Sequence, residues 1–105
     1  MKMEKIESQT AVLHLPETVD SDDAPRLKQL LQTLYEEGVQ FINMDFSVTE
    51  LIRNPCHGLL VMYQKKLKER GGELKLVNVK DNHVKHVFDM LNLRRVITIV
   101  EIDGN

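Results

Sequence analysis

The pattern of apolar and polar positions predicts strands and helices that alternate along the chain. Two short apolar runs, residues 3–7 and 10–15, lie close enough together to predict a hairpin at the edge of a sheet. Three later runs, 39–46, 74–79 and 96–100, are rich in the apolar and β-branched residues typical of strands. The segments between these runs carry apolar residues at helical spacing, which predicts three helices.

Each predicted helix has start and stop signals. The first follows the segment 20–25, which supplies capping residues, acidic side chains and a proline, and it ends at Gly38. The second ends at the glycine pair 71–72, and the third starts at 81–82 and ends at Asn92. The apolar stripes of the three helices are Leu27, Leu30, Leu31, Leu34 and Tyr35; Leu59, Leu60, Tyr63 and Leu67; and Val84, Val87, Phe88 and Leu91.

This element order predicts an α/β fold. Strands that alternate with helices favour a mixed, mostly parallel sheet of four to five strands, with three or four helices and right-handed crossovers. The connections are too short for a domain boundary, and we find no repeat or linker. Residues 1–105 are therefore predicted to form a single domain.

The loop Ile52–Gly58 stands out because it joins a predicted strand to a predicted helix. Asn54 is a suitable N-cap, since its side-chain oxygen can accept from amides of the first helical turn. Pro55 would then occupy the first helical position, where its missing N–H is not needed. Sites in α/β proteins often lie where a strand ends and a helix begins, so this loop is the first candidate for function.

Composition excludes several classes of function. The chain is 42% hydrophobic and 29% charged, as is usual for a globular protein, and its net charge of −2 does not suit binding to a phosphate backbone. Its single cysteine excludes an internal disulfide and fits a reducing compartment. The apolar runs are too short to span a bilayer, and the first residues lack a signal-peptide core. We therefore expect a cytoplasmic protein that binds no nucleic acid and does not insert into a membrane.

Cys56 beside His57 suggests a nucleophile, because a thiolate is stabilised at a helix start. Adjacent helical residues do not face each other, however, so His57 is poorly placed to act as the base. Cys56 also falls on the apolar stripe of its helix, and we favour a packed, inert thiol over an enzyme. His83 and His86 could face one side of a helix, but no third ligand completes a zinc pattern.

Two charged segments have simple explanations as helix ends. Asp20, Asp22 and Asp23 could hold Mg²⁺, yet their place before a helix already favours negative charge. The basic run 65–70 lies near the end of a helix, where cations are favoured. The glycine pair 71–72 follows a helix rather than preceding one, so it is not a phosphate-binding loop. We predict no cofactor and no metal.

The segment 44–58 resembles the signature region of STAS domains, the family of anti-sigma factor antagonists. In that family a strand ending in Asp-Leu-Ser is followed by an apolar pair, then by Asp-Ser-Ser-Gly-Leu-Gly and a helix. The resemblance runs without gaps from Asp45 to the pair 71–72, and Asp20 and Ala24 match the loop before the first helix. Residues similar to the family's last helix and strand are Asp81, Val84, Val87, Phe88, Asp89, Met90, Leu91, Leu93 and Ile97.

The chain departs from the family at the phosphorylation site. In the family, the second serine of the motif is phosphorylated by a serine kinase that is also the anti-sigma factor. Pro55 stands at this position and has no hydroxyl, while Arg53, Asn54 and Cys56 replace the residues around it. A phosphate would add a charge of about −2 to a docked surface, which is how the family's switch breaks binding. The resemblance therefore implies a domain that lacks this switch.

The resemblance implies a non-enzymatic regulatory domain in bacterial signal transduction and transcription regulation. Its partner would be a kinase-like anti-sigma factor or a related regulator, bound through the loops before the first and second helices. The predicted contact residues are Asp20, Ser21, Asp22, Asp23, Arg53, Asn54, Pro55, Cys56 and His57.

Other functions are compatible with the same resemblance. STAS domains also serve as accessory subunits of membrane transporters, and a scaffold subunit of a sensory signalling assembly is a third alternative. Phosphorylation of Ser47 or Thr49, nucleotide binding and a homodimer are left open by the sequence.

Overall fold

The computed structural model describes residues 1–103, which form seven strands and three α-helices. Two 3-10 turns, Ser21–Asp23 and Leu93–Arg95, precede α1 and β7. In chain order the elements are β1 Lys2–Glu7, β2 Thr10–His14, β3 Thr18–Val19, α1 Ala24–Glu36, β4 Phe41–Asp45, β5 Leu51–Ile52, α2 Cys56–Glu69, β6 Glu73–Val79, α3 Asn82–Met90 and β7 Thr98–Glu101.

The main sheet has five strands in the order β1-β2-β4-β6-β7. β1 is antiparallel to β2, and all other neighbours in this sheet are parallel. The mixed, mostly parallel α/β fold and the hairpin at the sheet edge are thus confirmed.

All three α-helices lie on one face of the sheet. Each crossover, through α1, α2 and α3, moves one strand further in the same direction, and right-handed crossovers in one direction place every helix on one side. Burial agrees with this arrangement. Leu13, Met44 and Leu76 are in register across three strands and are 0% exposed, so they form the layer under the helices. The residues on the opposite face of these strands are partly exposed.

The helix ends follow the predicted local chemistry. The Asp22 amide donates to Asp20 Oδ1 at 3.0 Å, and the Asp20 amide donates to Asp23 Oδ2 at 2.9 Å, so the acidic segment forms a capping box. Asp81, and not Asn82, caps α3 by accepting from the Val84 amide at 3.0 Å.

Three parts of the fold differ from the predictions. The short parallel pair β3–β5 was not predicted, because two residues per strand give no readable alternation. The last strand begins at Thr98 and not at Val96, since the amides of Val96 and Ile97 both donate to Leu93 O and keep the chain in a turn. Leu91 was predicted to be buried in the stripe of α3, but the helix ends at Met90 and Leu91 is 46% exposed.

Gly72 allows α2 to end directly against the start of β4. A Cβ atom on Gly72 would lie 1.9 Å from the backbone oxygen of Gln40, which no side chain can tolerate. The same oxygen accepts from the Glu73 amide at 2.9 Å, so the two backbone segments cannot separate without losing this hydrogen bond. In contrast, a Cβ on Gly58 within α2 would meet no atom within 4 Å.

We expect Gly72→Ala to lower the free energy of unfolding by about 1–3 kcal/mol, because the added methyl group forces the backbone apart. Gly58→Ala is the matched control and should raise it by about 0.5–1 kcal/mol through helix propensity. Urea unfolding followed by circular dichroism measures both changes. Equal stabilities of the two variants would contradict this account of Gly72.

Candidate functional site

The structure brings together the two segments that the sequence singled out. The Arg53 amide donates to Val19 O at 2.9 Å, extending the β3–β5 pairing between the segments. The Cys56 thiol lies 3.4 Å from Asp20 O and donates to it. The loops before α1 and before α2 are therefore held side by side at one end of the sheet.

The start of α2 differs from the prediction. Asn54 is not the N-cap: Pro55 occupies that position, no side chain caps the helix, and α2 begins at Cys56. The Cys56 amide donates to Arg53 O at 2.9 Å, and the Leu59 amide donates to Pro55 O at 3.2 Å. A turn over residues 53–56, with a cis peptide between Asn54 and Pro55, thus leads into the helix. Arg53, Asn54 and Pro55 are all exposed.

A largely apolar groove of about 620 Å³ lies between the starts of α1 and α2. Its most prominent exposed apolar side chain is Met62, which is 37% exposed. The groove is lined by Ser21, Ala24, Pro25 and Lys28 from the first segment, and by Pro55, Gly58, Leu59 and Met62 from the second.

Cys56 belongs to the core. Its side chain is 0% exposed, which confirms the predicted packing of this thiol. Burial, followed by the charges of Asp23 and Asp20, raises the pKa of the Cys56 thiol, so the thiol stays protonated at neutral pH. Cys56 was also included among the predicted partner contacts, but its side chain has no surface to offer a partner.

His57 is half-buried beside the groove and is held by one hydrogen bond. Its Nε2 donates to Ile52 O at 3.0 Å, while its Nδ1 is buried and has no hydrogen-bond partner within residues 1–103. Burial lowers the pKa of His57, because protonation would place a charge and an unmatched donor at Nδ1.

A polar network that the sequence did not reveal surrounds Asp45 at the same end of the sheet. Asp45 accepts from His14 Nδ1 at 2.7 Å, from Asn78 Nδ2 at 3.0 Å and from the Ser47 amide at 3.0 Å. Burial acts to raise the pKa of Asp45, but these hydrogen bonds outweigh it and the pKa is lowered. The network ties the ends of β2, β4 and β6 together. Of this network, only the turn from Asp45 to Ser47 could have been predicted from neighbouring residues in the sequence.

The two hydroxyls near the signature segment differ in access. Ser47 is exposed and donates to Asp45 Oδ2 at 3.3 Å. Thr49 is 1% exposed, and its hydroxyl donates to Pro16 O at 2.9 Å. Of the two, only Ser47 presents a hydroxyl that a kinase could reach in this conformation. Both residues line a polar cleft of about 480 Å³ that also includes Lys80 and His83.

Within the described part of the chain, no group of three or more His, Cys, Asp or Glu side chains could hold a metal ion. Asp20 and Asp23 instead use their carboxylates to cap the start of the first helical segment. Among the helices formed by residues 1–103, none combines the length and apolar character needed to cross a membrane.

A family model described as "Mlab, STAS domain" matches residues 3–101. The chain belongs to the STAS domain family. A comparison of this STAS domain with curated proteins found no match.

Solved structures share the fold of this STAS domain. The anti-sigma factor antagonist SpoIIAA in its unphosphorylated form is 19% identical, with a TM-score of 0.82 over 93% of this chain and 85% of that chain. The phosphorylated form of the Bacillus cell fate determinant SpoIIAA is 18% identical, with a TM-score of 0.75 over 93% and 88%. A Thermotoga maritima protein described as a candidate anti-sigma factor antagonist is 24% identical, with a TM-score of 0.81 over 93% and 84%.

The environment of His57 predicts how the stability of this STAS domain depends on pH. Because its pKa is lower in the folded chain than its usual value of about 6.5, the unfolded chain binds more protons in this range, and stability falls as pH drops below about 6.5. His57→Gln keeps an N–H donor for Ile52 O but does not titrate. We expect the native chain to lose more stability than His57→Gln between about pH 7.5 and about pH 5.5.

Urea unfolding of both chains at the two pH values tests this expectation. The comparison cancels the contributions of the other histidines and carboxylates, since both chains carry them. Parallel losses of stability would show that His57 does not titrate as its surroundings imply.

Proposed function

We propose that this STAS domain is a non-enzymatic regulatory module of the bacterial cytoplasm that binds a protein partner. The partner we infer is a serine-kinase-type anti-sigma factor or a related regulator. Membership of the STAS family and the fold shared with anti-sigma factor antagonists support this proposal. The buried, protonated state of Cys56 argues against a nucleophilic enzyme.

The observation that carries the proposal is the groove between α1 and α2. It combines an apolar floor, including Leu59 and Met62, with the exposed polar residues Ser21 and Lys28. An apolar centre with a polar rim is the usual composition of a protein–protein interface. Ser21 and Pro55 belong to the two segments that the family resemblance assigns to partner binding, and the rest of the lining comes from the adjoining turns of α1 and α2.

Phosphorylation at position 55 cannot interrupt binding to the surface before α2. Pro55 is exposed on the rim, where the resemblance places the phosphorylated serine of the family. A proline cannot accept phosphate, and its ring restricts the loop in both the free and the bound chain, which lowers the entropy lost on binding. We infer that the groove is always available to its partner.

Met62→Lys should weaken partner binding at least about tenfold, because it places a charge in the apolar groove. The immobilised chain would be used to capture proteins from the source organism, with mass spectrometry to identify them and titration to measure affinity. We expect a kinase-type anti-sigma factor or related regulator. Ile6→Lys, at an exposed apolar site on β1, is the control and should bind as the native chain does.

Capture of transporter subunits alone would instead favour a role as an accessory subunit of a transporter. Equal binding by Met62→Lys and the native chain would show that the groove is not the docking surface.

Pro55→Ser should create a phosphate acceptor that the native chain lacks. With the captured kinase and ATP, we expect one phosphate at position 55 of the variant and none on residues 53–58 of the native chain, as measured by peptide mass spectrometry. The phosphorylated variant should lose affinity, because about two negative charges enter the docking surface. Pro55→Ala serves as the control for loss of the proline alone. Phosphate on residues 53–58 of the native chain would refute the proposal of uninterrupted binding.

A further inference from the structure

The two edges of the main sheet differ in chemistry. The edge strand β1 carries four exposed charges, Lys2, Glu4, Lys5 and Glu7, a pattern that discourages pairing with another chain. The opposite edge strand, β7, has the sequence Thr-Ile-Val-Glu and is followed by Ile102. It contains neither lysine nor proline. Glu101 is its one charged residue, so the β7 edge has less of the protection against strand addition that the four charges give the β1 edge.

The backbone at the β7 edge has unused hydrogen-bonding groups. Backbone groups of a strand alternate between its two sides, and the Ile102 amide donates to Val79 O of β6 at 2.9 Å. Thr98, Val100 and Ile102 therefore bond toward β6. The amides and carbonyls of Ile99 and Glu101 point away from the sheet, in the position where a further strand would pair.

Exposed apolar side chains are frequent in β7 and in the residues around it. Ten large hydrophobic side chains of the described chain are exposed, and five of them lie between residues 90 and 102. These five are Met90 at 69%, Leu91 at 46%, Val96 at 51%, Val100 at 46% and Ile102 at 40%. Of these, Val100 lies on β7 and Ile102 directly follows it, so the edge strand itself carries exposed apolar surface of the kind that marks interaction sites.

We propose that a second copy of this chain pairs with this edge, β7 against β7 in antiparallel orientation, around a two-fold axis at Val100. In this register Ile99 of each copy exchanges two backbone hydrogen bonds with Glu101 of the other. The two Val100 side chains face each other, and Thr98 faces Ile102 of the second copy. The two main sheets become one sheet of ten strands.

The charges around β7 favour a second copy in this orientation. Arg94 already pairs with Asp89 and Glu101 of its own chain, which leaves Arg95 before the strand and Asp103 beyond its end. Antiparallel pairing brings the basic end of each copy to the acidic end of the other, and parallel pairing would bring like charges together. The interface shares no residue with the groove between α1 and α2, so each copy keeps its groove open.

Sedimentation velocity over about 5 to about 300 μM spans the affinities expected of a small edge-strand interface. We expect the native chain to shift from monomer to dimer across this range. Val100→Lys places two lysines opposite each other at the axis and should remain monomeric. Val48→Lys, at an exposed apolar site on a loop, is the matched control and should dimerise as the native chain does. Urea midpoints equal to that of the native chain establish that both variants fold.

Amide hydrogen exchange of the native chain tests the register without a substitution. The Ile99 and Glu101 amides should exchange more slowly as concentration rises, while the amides along the outer side of β1 should not change. A native chain that stays monomeric at every concentration would overturn the proposal. So would dimerisation of Val100→Lys at native affinity, or exchange at Ile99 and Glu101 that does not depend on concentration.

Discussion

The right-handed sense of the strand–helix–strand connections is the constraint on which this structure depends most. Three successive crossovers run in the same direction, so all helices share one face and one apolar layer lies beneath them. In parallel connections of this kind, the strands end and the helices begin at the same end of the sheet. The loops before α1 and α2 therefore meet there, although more than thirty residues separate Asp20 from Cys56, the pair joined by the thiol contact.

Features encoded by a few neighbouring residues could be predicted from the sequence. The capping box at Asp20 and the cap at Asp81 depend on side chains within three residues of the amides that they bind. The turn before β7 depends instead on distant contacts. Gln64 of α2 donates to Val96 O at 3.1 Å and accepts from the Leu74 amide at 2.6 Å, so a buried helix side chain keeps Val96 out of the last strand. The β-branched sequence of residues 96–100 alone could not reveal this contact with Gln64.

The candidate site also combines features that neighbouring residues encode with features that depend on distant contacts. Both loops were predicted, because capping residues and the family motif are local. The groove was not, because Lys28 and Met62 contribute to it from later turns of two different helices. The network at Asp45 was not predicted either, because it joins partners from two other strands. Proximity in space decided the groove and the network, and a single sequence does not contain it. The burial of Cys56 could be predicted, because its place on the apolar stripe of its helix is a local feature.

The charged strand β1 limits how far a sheet built from this chain can grow. Two chains joined at β7 would have β1 as the outermost strand on both sides, and each outer strand would present alternating lysine and glutamate to solvent. A third chain would find no uncharged edge to pair with. Assembly through the sheet would therefore close at two copies, and the fold avoids the open-ended stacking of strands that produces fibrils.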